Sequence, residues 1–266
     1  MRSARVYPRA VAAAVHVTRW GAGEPAVLVH GSFGWGEEVW REQKPLACEY
    51  ELLLVDRRGF GRSPADGRVD FERDAADVAA LLPAGGAHLV GHSYGGVVAL
   101  LAAAQPGAAV RSLTVVEPPA LALVRGNDSV EEFVAAVDAA VAAAAGPSDY
   151  RVRFLRAFGF HAQPLRLKGP HLEAARASLG ERPPWEAAIP LDTLARAPFP
   201  TLVIRGDWSR APEAARTRGG AALHAVCDVL EARLGAARAV FAAAHNPQYL
   251  GPPFNERLRD FWRTGA

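Results

Sequence analysis

The stretch Gly91-His92-Ser93-Tyr94-Gly95-Gly96 directly follows the short apolar run of residues 87–90 and opens a helix-like segment. A serine in so sharp a strand-to-helix turn must adopt a positive φ angle, which costs free energy. Side chains two residues before it and two residues after it would collide, and glycine at positions 91 and 95 avoids this. The turn is expected to place the serine hydroxyl at the N-terminus of the helix, where the helix dipole and free N–H groups favour an anion.

Around this turn, short apolar runs alternate with helix-like segments, a pattern typical of an α/β fold with a mostly parallel central sheet flanked by helices. The predicted strands are residues 26–30, 51–56, 87–90, 112–117, 201–205 and 237–242, and the predicted helices are residues 71–82, 95–105, 221–234 and 254–263. Half of the 266 residues are hydrophobic, which is enough to fill a large core.

One long interval between two late strands breaks this alternation. Residues 118–197 contain a capping box at Ser129-Val-Glu-Glu132, an amphipathic helix after it, and then an aromatic and proline-rich stretch. We expect this segment to form a helical lid, or cap, over a core made of residues 1–117 and 198–266. The alternative is a plain structural extension of the core.

Charge and composition exclude several classes of protein. The 30 basic and 28 acidic residues leave a net charge of +2, too small to attract nucleic acid by its bulk field. No apolar run reaches the roughly 18 residues that span a bilayer, and the run at residues 10–15 is too short for a signal peptide. We therefore expect a cytoplasmic protein without a membrane or nucleic-acid partner. Motifs for metal, nucleotide or dinucleotide sites are missing from the sequence, so no metal or cofactor is expected.

Two further motifs accompany the serine turn in chain order. His30-Gly31-Ser32-Phe33-Gly34 follows the first predicted strand, and Asp56-Arg57-Arg58-Gly59-Phe60-Gly61-Arg62-Ser63 follows the second. With these motifs the chain resembles the α/β-hydrolase superfamily, in its lidded, esterase- and lactonase-like branch. The resemblance implies that Ser93 is a nucleophile. It also implies an oxyanion hole made by the backbone N–H groups of Tyr94 and Ser32, with Phe33 as the alternative to Ser32.

A serine hydroxyl at its ordinary pKa is a poor nucleophile and requires a general base. Of the eight histidines, His245 lies in a loop after the last predicted strand, where the resemblance implies the catalytic histidine. The glycine that usually comes shortly before it is replaced by alanines 242–244. His92 lies inside the serine turn, and we expect its side chain to point away from the Ser93 hydroxyl.

Two residues compete for the role of the acid that orients this histidine. The resemblance implies an acid in a G-x-x-D turn after residues 201–205, but Ser209 occupies that position and Asp207 comes two residues earlier. In a known variant of the superfamily the acid follows the preceding strand, where this chain has Glu117. A carboxylate at the end of an apolar strand is costly to bury unless it is paired. Glu117 is therefore preferred, and Asp207 stays the alternative.

Together these residues predict a serine hydrolase that cleaves a carboxylic ester or lactone through an acyl-enzyme on Ser93. The aromatic lid favours a medium-sized, largely apolar small molecule. The candidate pocket residues are Phe33, Trp35, Phe158 and Trp185, with core packing as the alternative for Trp35. The rival functions are a C–C bond hydrolase, a thioesterase or a tailoring enzyme on the same triad. A non-catalytic ligand-binding receptor of the same fold is the rival from a different class. The oligomeric state is left open.

Overall fold

The computed structural model describes residues 15–265, and within them seven strands form one sheet. The strands are β1 (Val17–Trp20), β2 (Glu24–Val29), β3 (Tyr50–Val55), β4 (Ala87–His92), β5 (Val110–Val116), β6 (Thr201–Gly206) and β7 (Ala237–Phe241). Their spatial order is β1-β3-β2-β4-β5-β6-β7. Strand β1 pairs antiparallel with β3, and every other pairing of this sheet is parallel. The predicted α/β class with a mostly parallel sheet is confirmed.

Helices cover both faces of the sheet. They are α1 (Gly36–Val39), α2 (Phe71–Leu81), α3 (Tyr94–Ala103), α4 (Asp128–Ala142), α5 (Pro147–Ala157), α6 (Gly169–Leu179), α7 (Leu191–Ala195), α8 (Glu213–Ala215), α9 (Ala221–Leu234) and α10 (Pro252–Thr264). Alternate residues of β2 point to opposite faces: Val27 and Val29 belong to the core on the face covered by α2, α3 and α9, whereas Ala26 and Leu28 belong to the core on the face covered by α10. Both faces are dry, so the central strands are apolar throughout rather than alternating with polar residues.

The largest departure from the predicted elements is the edge strand β1, which the sequence reading missed. Its four residues are half-exposed or exposed, so no continuous apolar run marks it. The predicted boundaries of the other elements shift by a few residues; β5, for example, begins at Val110 and ends at Val116. The N-terminal residues 1–14, including most of the apolar run discussed above, lie outside the described part of the chain.

The predicted capping box at Ser129 is wrong. Helix α4 begins at Asp128, and its N-cap is Asn127, whose side-chain oxygen accepts the N–H of Ser129 at 3.1 Å. Glu131, rather than Glu132, reaches back and accepts the N–H of Gly126 at 2.8 Å. The asparagine comes first along the chain and is an equally good cap, so the N-cap lies two residues earlier than predicted.

Helices α4 to α7 all fall between β5 and β6, within residues 118–197, which we call the helical insertion. Helix α4 packs against α9, and a backbone bridge pairs Glu181 of the insertion with Val69 of the core. Within residues 15–265 no helix is both long enough and apolar enough to cross a membrane.

Candidate active site

The turn between β4 and α3 has the strained geometry that the sequence predicts. Ser93 has φ 53° and ψ −125°, outside the regions that non-glycine residues favour. A Cβ atom at position 91 would lie 2.2 Å from the carbonyl oxygen of Gly95, and one at position 95 would lie 2.4 Å from the carbonyl oxygens of Val29 and His30. Glycine is therefore required at both positions, because the backbones approach too closely for any side chain.

His245 lies in the loop after β7, and its imidazole contacts the Ser93 hydroxyl. The distance from Nε2 to Ser93 Oγ is 2.9 Å, and the distance from Nδ1 to Glu117 Oε2 is 2.8 Å. A carboxylate can only accept, so Nδ1 carries the proton and Nε2 is left as an acceptor for the serine O–H. The three side chains form one continuous chain of hydrogen bonds.

Glu117 follows β5 directly and is fully buried. Its backbone has a positive φ of 43°, which few non-glycine residues adopt. Its second oxygen, Oε1, accepts the N–H of Gly206 at 2.9 Å and the indole N–H of Trp208 at 2.8 Å. The buried charge thus has a partner on each oxygen, which offsets the cost of removing it from water.

Asp207, the alternative acid, is exposed and turned away from the imidazole. Its Oδ1 accepts both the N–H and the hydroxyl of Ser209, each at 2.9 Å. Of the two carboxylates that the sequence leaves open, the structure brings Glu117 to His245, and Asp207 braces its own turn.

His92 supports the backbone of His245 and makes no contact with the Ser93 hydroxyl. Its Nε2 lies 2.9 Å from the carbonyl oxygen of His245, to which it donates. Burial, with a smaller contribution from the neighbouring imidazole, lowers the pKa of His92 to about 3. A neutral His92 therefore braces the loop that carries His245. The sequence reading assigned this residue no such role.

An aromatic wall covers the imidazole. The rings of Phe158 and Trp208 lie 5.4 and 6.4 Å from that of His245. The wall rests on a π-helical turn, residues 216–220, where a Cβ at Gly219 would lie 2.5 Å from the Phe158 ring. Glycine at this turn lets the ring pack directly on the backbone.

The loop of residues 30–34 lies against the Ser93 turn. A Cβ at Gly31 would lie 2.8 Å from the Cβ of Ser93, so the loop and the turn are in close contact. Tyr94 is the first residue of α3, and its N–H has no partner inside the helix. The N–H of Phe33 donates to Ser178 Oγ at 2.8 Å, so this alternative donor is occupied.

The loop is held by charged groups buried beneath it. Arg57 donates to the carbonyl oxygens of His30 and Gly31, and its guanidinium pairs with Asp74 at 2.9 Å and with Glu181 at 2.5 Å. Burial alone would lower the pKa of Arg57, but the two carboxylates raise it above its ordinary value. Burial raises the pKa of Glu181.

Glu181 also accepts the hydroxyl of Ser32 at 2.5 Å, so the helical insertion reaches the loop through two side chains, Ser178 and Glu181. The sequence reading missed both. They lie 145 and 149 positions from their loop partners, and no local motif marks them.

Two cavities meet at Ser93, with volumes of about 440 and 420 Å³. Both are lined by Ser32, Ser93, Phe154 and Phe158. Of the predicted pocket residues, Phe158 therefore lines both cavities, Trp185 lines the first and Phe33 the second. Trp35 lines neither; it packs near Phe60 and against the ring of His171 at 5.1 Å.

Across residues 15–265, no group of three or more histidine, cysteine, aspartate or glutamate side chains is arranged to hold a metal ion. The arrangement at Ser93 brings together a serine hydroxyl, an imidazole nitrogen and the N-terminus of helix α3. These are the groups required for nucleophilic attack on a carbonyl.

Comparison with known proteins places this geometry in a family. The model of the alpha/beta hydrolase family matches residues 26–258, which include Ser93, Glu117 and His245. The chain belongs to the alpha/beta hydrolase family. The match covers the serine turn and strands β2 to β7 of the sheet.

Among curated proteins, this alpha/beta hydrolase is similar to the pimeloyl-[acyl-carrier protein] methyl ester esterase of Aeromonas hydrophila. The two are 42% identical over 109 residues, which is 40% of this chain and 42% of the relative. The match therefore spans less than half of the length of that esterase.

Solved structures resemble the chain over nearly its whole length. An alpha/beta hydrolase from Sphaerobacter thermophilus superimposes with a TM-score of 0.64 and 26% identity, covering 92% of this chain and 96% of the other. Est816, described as an N-acyl homoserine lactone degrading enzyme, gives a TM-score of 0.61 and 24% identity, covering 93% and 96%. These likenesses establish the fold of the alpha/beta hydrolase.

Proposed function

We propose that this alpha/beta hydrolase is a serine hydrolase that cleaves carboxylic esters or lactones through an acyl-enzyme on Ser93. The observation that carries the proposal is the hydrogen-bonded chain from Ser93 Oγ to His245 Nε2 at 2.9 Å and from His245 Nδ1 to Glu117 Oε2 at 2.8 Å. This is the relation between nucleophile, base and orienting acid that serine hydrolysis requires.

In the first half of the reaction, Ser93 Oγ attacks the carbonyl carbon while its proton passes to His245 Nε2. The ester C–O bond then breaks, and the departing alkoxide takes that proton from the imidazolium. In the second half, water attacks the acyl-enzyme, gives its proton to Nε2, and leaves the carboxylic acid; the serine recovers its proton from the same nitrogen.

The negative charge on the carbonyl oxygen requires donors that are already in place. We assign this role to the backbone N–H groups of Ser32 and Tyr94. Two observations support the assignment: Tyr94 opens helix α3 with an N–H free of intrahelical bonds, and Phe33, the competing donor, already donates to Ser178. The positive end of the helix dipole adds to the stabilisation.

Glu117 orients the imidazole and stabilises its protonated form. Because Oε1 is fixed by Gly206 and Trp208, the Oε2 oxygen is left to His245 in a single geometry. The full burial of Glu117 strengthens its attraction for the imidazolium that forms during attack.

We further propose that the helical insertion, residues 118–197, acts as the lid on a core of residues 1–117 and 198–266. Phe158 and Trp185 of this insertion line the cavities at Ser93, as do several apolar neighbours. A wall of this kind favours a medium-sized, largely apolar substrate. The methyl ester esterase and the lactone-degrading enzyme named above make esters and lactones the first classes to assay.

The experiment is a panel of p-nitrophenyl esters of increasing acyl length, together with a panel of lactones, assayed with the wild-type protein and with Ser93→Ala. We expect hydrolysis of at least one class by the wild type and a loss of about 10³-fold or more in Ser93→Ala. The matched control is Ser209→Ala, which removes an exposed hydroxyl away from His245. Undiminished activity in Ser93→Ala, or no hydrolysis of any ester or lactone by the wild type, would contradict the proposal.

A further inference from the structure

The two cavities at Ser93 differ in ways that assign one to each half of an ester. Building on the proposed function, we infer that the substrate is an ester of an apolar acid with an anionic alcohol. Its acyl group occupies the first cavity, and its alcohol occupies the second with its negative charge on Arg151.

The position of His245 fixes the direction. The departing alkoxide must take a proton from His245 Nε2, so the alcohol has to lie on the imidazole side of Ser93. His245 lines the second cavity and not the first, whereas Tyr94, which carries a proposed oxyanion donor, lines the first and not the second. The acyl group, on the far side of the carbonyl carbon from the leaving oxygen, therefore enters the first cavity.

The first cavity matches an apolar acyl group. Its wall includes Phe133, Val137, Tyr150 and Trp185. Three charged residues also line this cavity. The carboxylate of Glu181 accepts the hydroxyl of Ser32 and pairs with Arg57, and the side chains of Arg68 and Asp138 are exposed to solvent. The buried part of this cavity thus offers no unpaired charge to a ligand.

The second cavity contains an unpaired cation. Arg151, on helix α5, is half-buried, and its guanidinium lies 4.7 Å from the centre of the Phe33 ring. Among the described residues it makes no hydrogen bond and has no carboxylate within 4.0 Å. Burial lowers the pKa of Arg151. A partly buried guanidinium that lies on an aromatic ring and forms no salt bridge can bind a carboxylate or phosphate.

The other titratable groups of this cavity form no salt bridge with Arg151. Glu38 also lines it and attracts the guanidinium, but its carboxylate pairs with Arg41 at 3.4 Å, and burial raises the pKa of Glu38. His171 is exposed, His92 stays neutral, and the pKa of the Tyr249 phenol is raised to about 12 by burial. A ligand anion is therefore the group best suited to balance the charge.

The test uses two hexanoyl esters that differ in one group: the ester of 4-hydroxybenzoate and that of 4-hydroxybenzamide. Each kcat/KM is divided by the rate of hydroxide-catalysed hydrolysis, which removes the difference in intrinsic reactivity. We expect the wild type to prefer the carboxylate ester about tenfold or more, because a guanidinium–carboxylate pair in a partly dry site is strong.

Arg151→Gln should abolish this preference by lowering kcat/KM for the carboxylate ester, and circular dichroism shows whether the variant is folded. Arg151→Lys should keep part of the preference for the carboxylate ester, because the positive charge remains but the planar guanidinium, which can donate two parallel hydrogen bonds, is lost. The matched control is Arg153→Gln on the same helix; Arg153 already pairs with Asp149 at 2.7 Å and lines neither cavity, so the preference should persist.

Two further arms test the direction. Once the alcohol has departed, both esters give the same hexanoyl-enzyme, in which no anion faces Arg151. Arg151→Gln should therefore not change the rate of deacylation, measured by burst kinetics. With the charge moved to the acyl end, in the hexanedioyl monoester of 4-hydroxybenzamide, Arg151 should give no advantage over the hexanoyl ester. An Arg151-dependent gain for that monoester would mean the opposite orientation and would overturn the inference.

Failure of this inference can be told apart from failure of the proposed function. Ser93-dependent hydrolysis without a preference for the anionic alcohol, or with a preference that survives in Arg151→Gln, overturns the inference alone. Absence of Ser93-dependent hydrolysis of every ester in the set overturns the proposed function as well.

Discussion

On one side of Ser93 lie His245 and Glu117, which follow strands of the central sheet; on the other lies loop 30–34, which rests on the helical insertion. The first side is held by the core itself: the Glu117 carboxylate is fixed by the N–H groups of Gly206 and Trp208. The second side is held from outside the core, through Ser178, Glu181 and the buried Arg57.

The two sides of Ser93 therefore differ in which part of the fold holds them in place. On the proton-transfer side the acid is held by core residues, and the insertion adds the ring of Phe158, whereas the proposed oxyanion side is held by polar contacts with the insertion. Changes on the first side should therefore abolish the chemistry, and changes on the second should reduce it by a smaller factor.

The largest effect is expected on the core side, from Glu117→Gln. The amide keeps the size of the side chain but cannot stabilise the imidazolium or fix its tautomer, so kcat should fall about 10³- to 10⁴-fold. Asp207→Asn is the matched control and should change kcat by less than about threefold, because Asp207 contacts Ser209 and not the imidazole. Steady-state ester hydrolysis measures both. A larger loss in Asp207→Asn than in Glu117→Gln would reverse the assignment of the acid.

A smaller effect is expected on the insertion side, from Glu181→Gln. Weakening the contacts to Ser32 and Arg57 loosens the loop without removing a donor, so kcat should fall about 10- to 100-fold, less than the loss of a whole oxyanion donor. KM should change by less than about threefold, because the carboxylate contributes little to the apolar cavity. Glu186→Gln is the matched control: Glu186 is exposed, five positions along, and pairs with Arg182. An unchanged kcat in Glu181→Gln, with thermal stability alone affected, would make Glu181 purely structural.

The third prediction concerns stability and pH on the core side, through His92. The pKa of His92 is about 3 in the folded protein, against about 6.5 for an unfolded histidine. The unfolded chain binds the proton more tightly, so this contribution to stability is complete above about pH 6.5 and is lost as the pH falls towards 3. At pH 5 the loss should be about 2 kcal/mol.

Urea unfolding between pH 7.5 and pH 5 measures this loss. His92→Asn should reduce the slope of the unfolding free energy against pH by the equivalent of about one bound proton, whatever its effect on the stability at pH 7.5. His161→Asn, at an exposed position, is the control and should keep the wild-type dependence. The same slope in His92→Asn and in the wild type would show that His92 is not held neutral.

The smallest effect is expected from Gly219→Ala at the aromatic wall. The added Cβ would lie 2.5 Å from the Phe158 ring and must displace it, at a cost of about 1–3 kcal/mol in stability. Because Phe158 lines both cavities, KM should rise by about two- to fivefold with kcat little changed. Gly85→Ala is the control, since nothing lies within 4 Å of a Cβ there. Equal KM values in the two variants would exclude Phe158 from the substrate site.

The sequence predicts the core side well because its geometry is local or follows from strand order. The glycines around Ser93 reveal the turn, and Glu117 and His245 follow parallel strands whose carboxyl ends meet at one edge. The insertion side could not be predicted in this way. Ser178 and Glu181 reach loop 30–34 only through the packing of helices distant in the chain, and a serine and a glutamate in a helical segment are ordinary residues.

Two smaller features, strand β1 and the position of Trp35, could not be predicted from the sequence for related physical reasons. Strand β1 lies at the sheet edge and its residues are half-exposed or exposed, so it lacks the apolar run that marks the central strands. Trp35 packs against the cluster that contains Phe60 and lines neither of the two cavities at Ser93, so of the two roles that the sequence leaves open the structure favours core packing.

The central claim is that Ser93 forms the covalent intermediate. The most direct measurement is labelling of the intact protein with a fluorophosphonate, followed by mass spectrometry of the protein and of its peptides. We predict one adduct per chain, on Ser93, with loss of hydrolysis in proportion to labelling and no adduct in Ser93→Ala. An adduct on another residue that abolishes hydrolysis, or full activity in protein labelled at Ser93, would contradict the account.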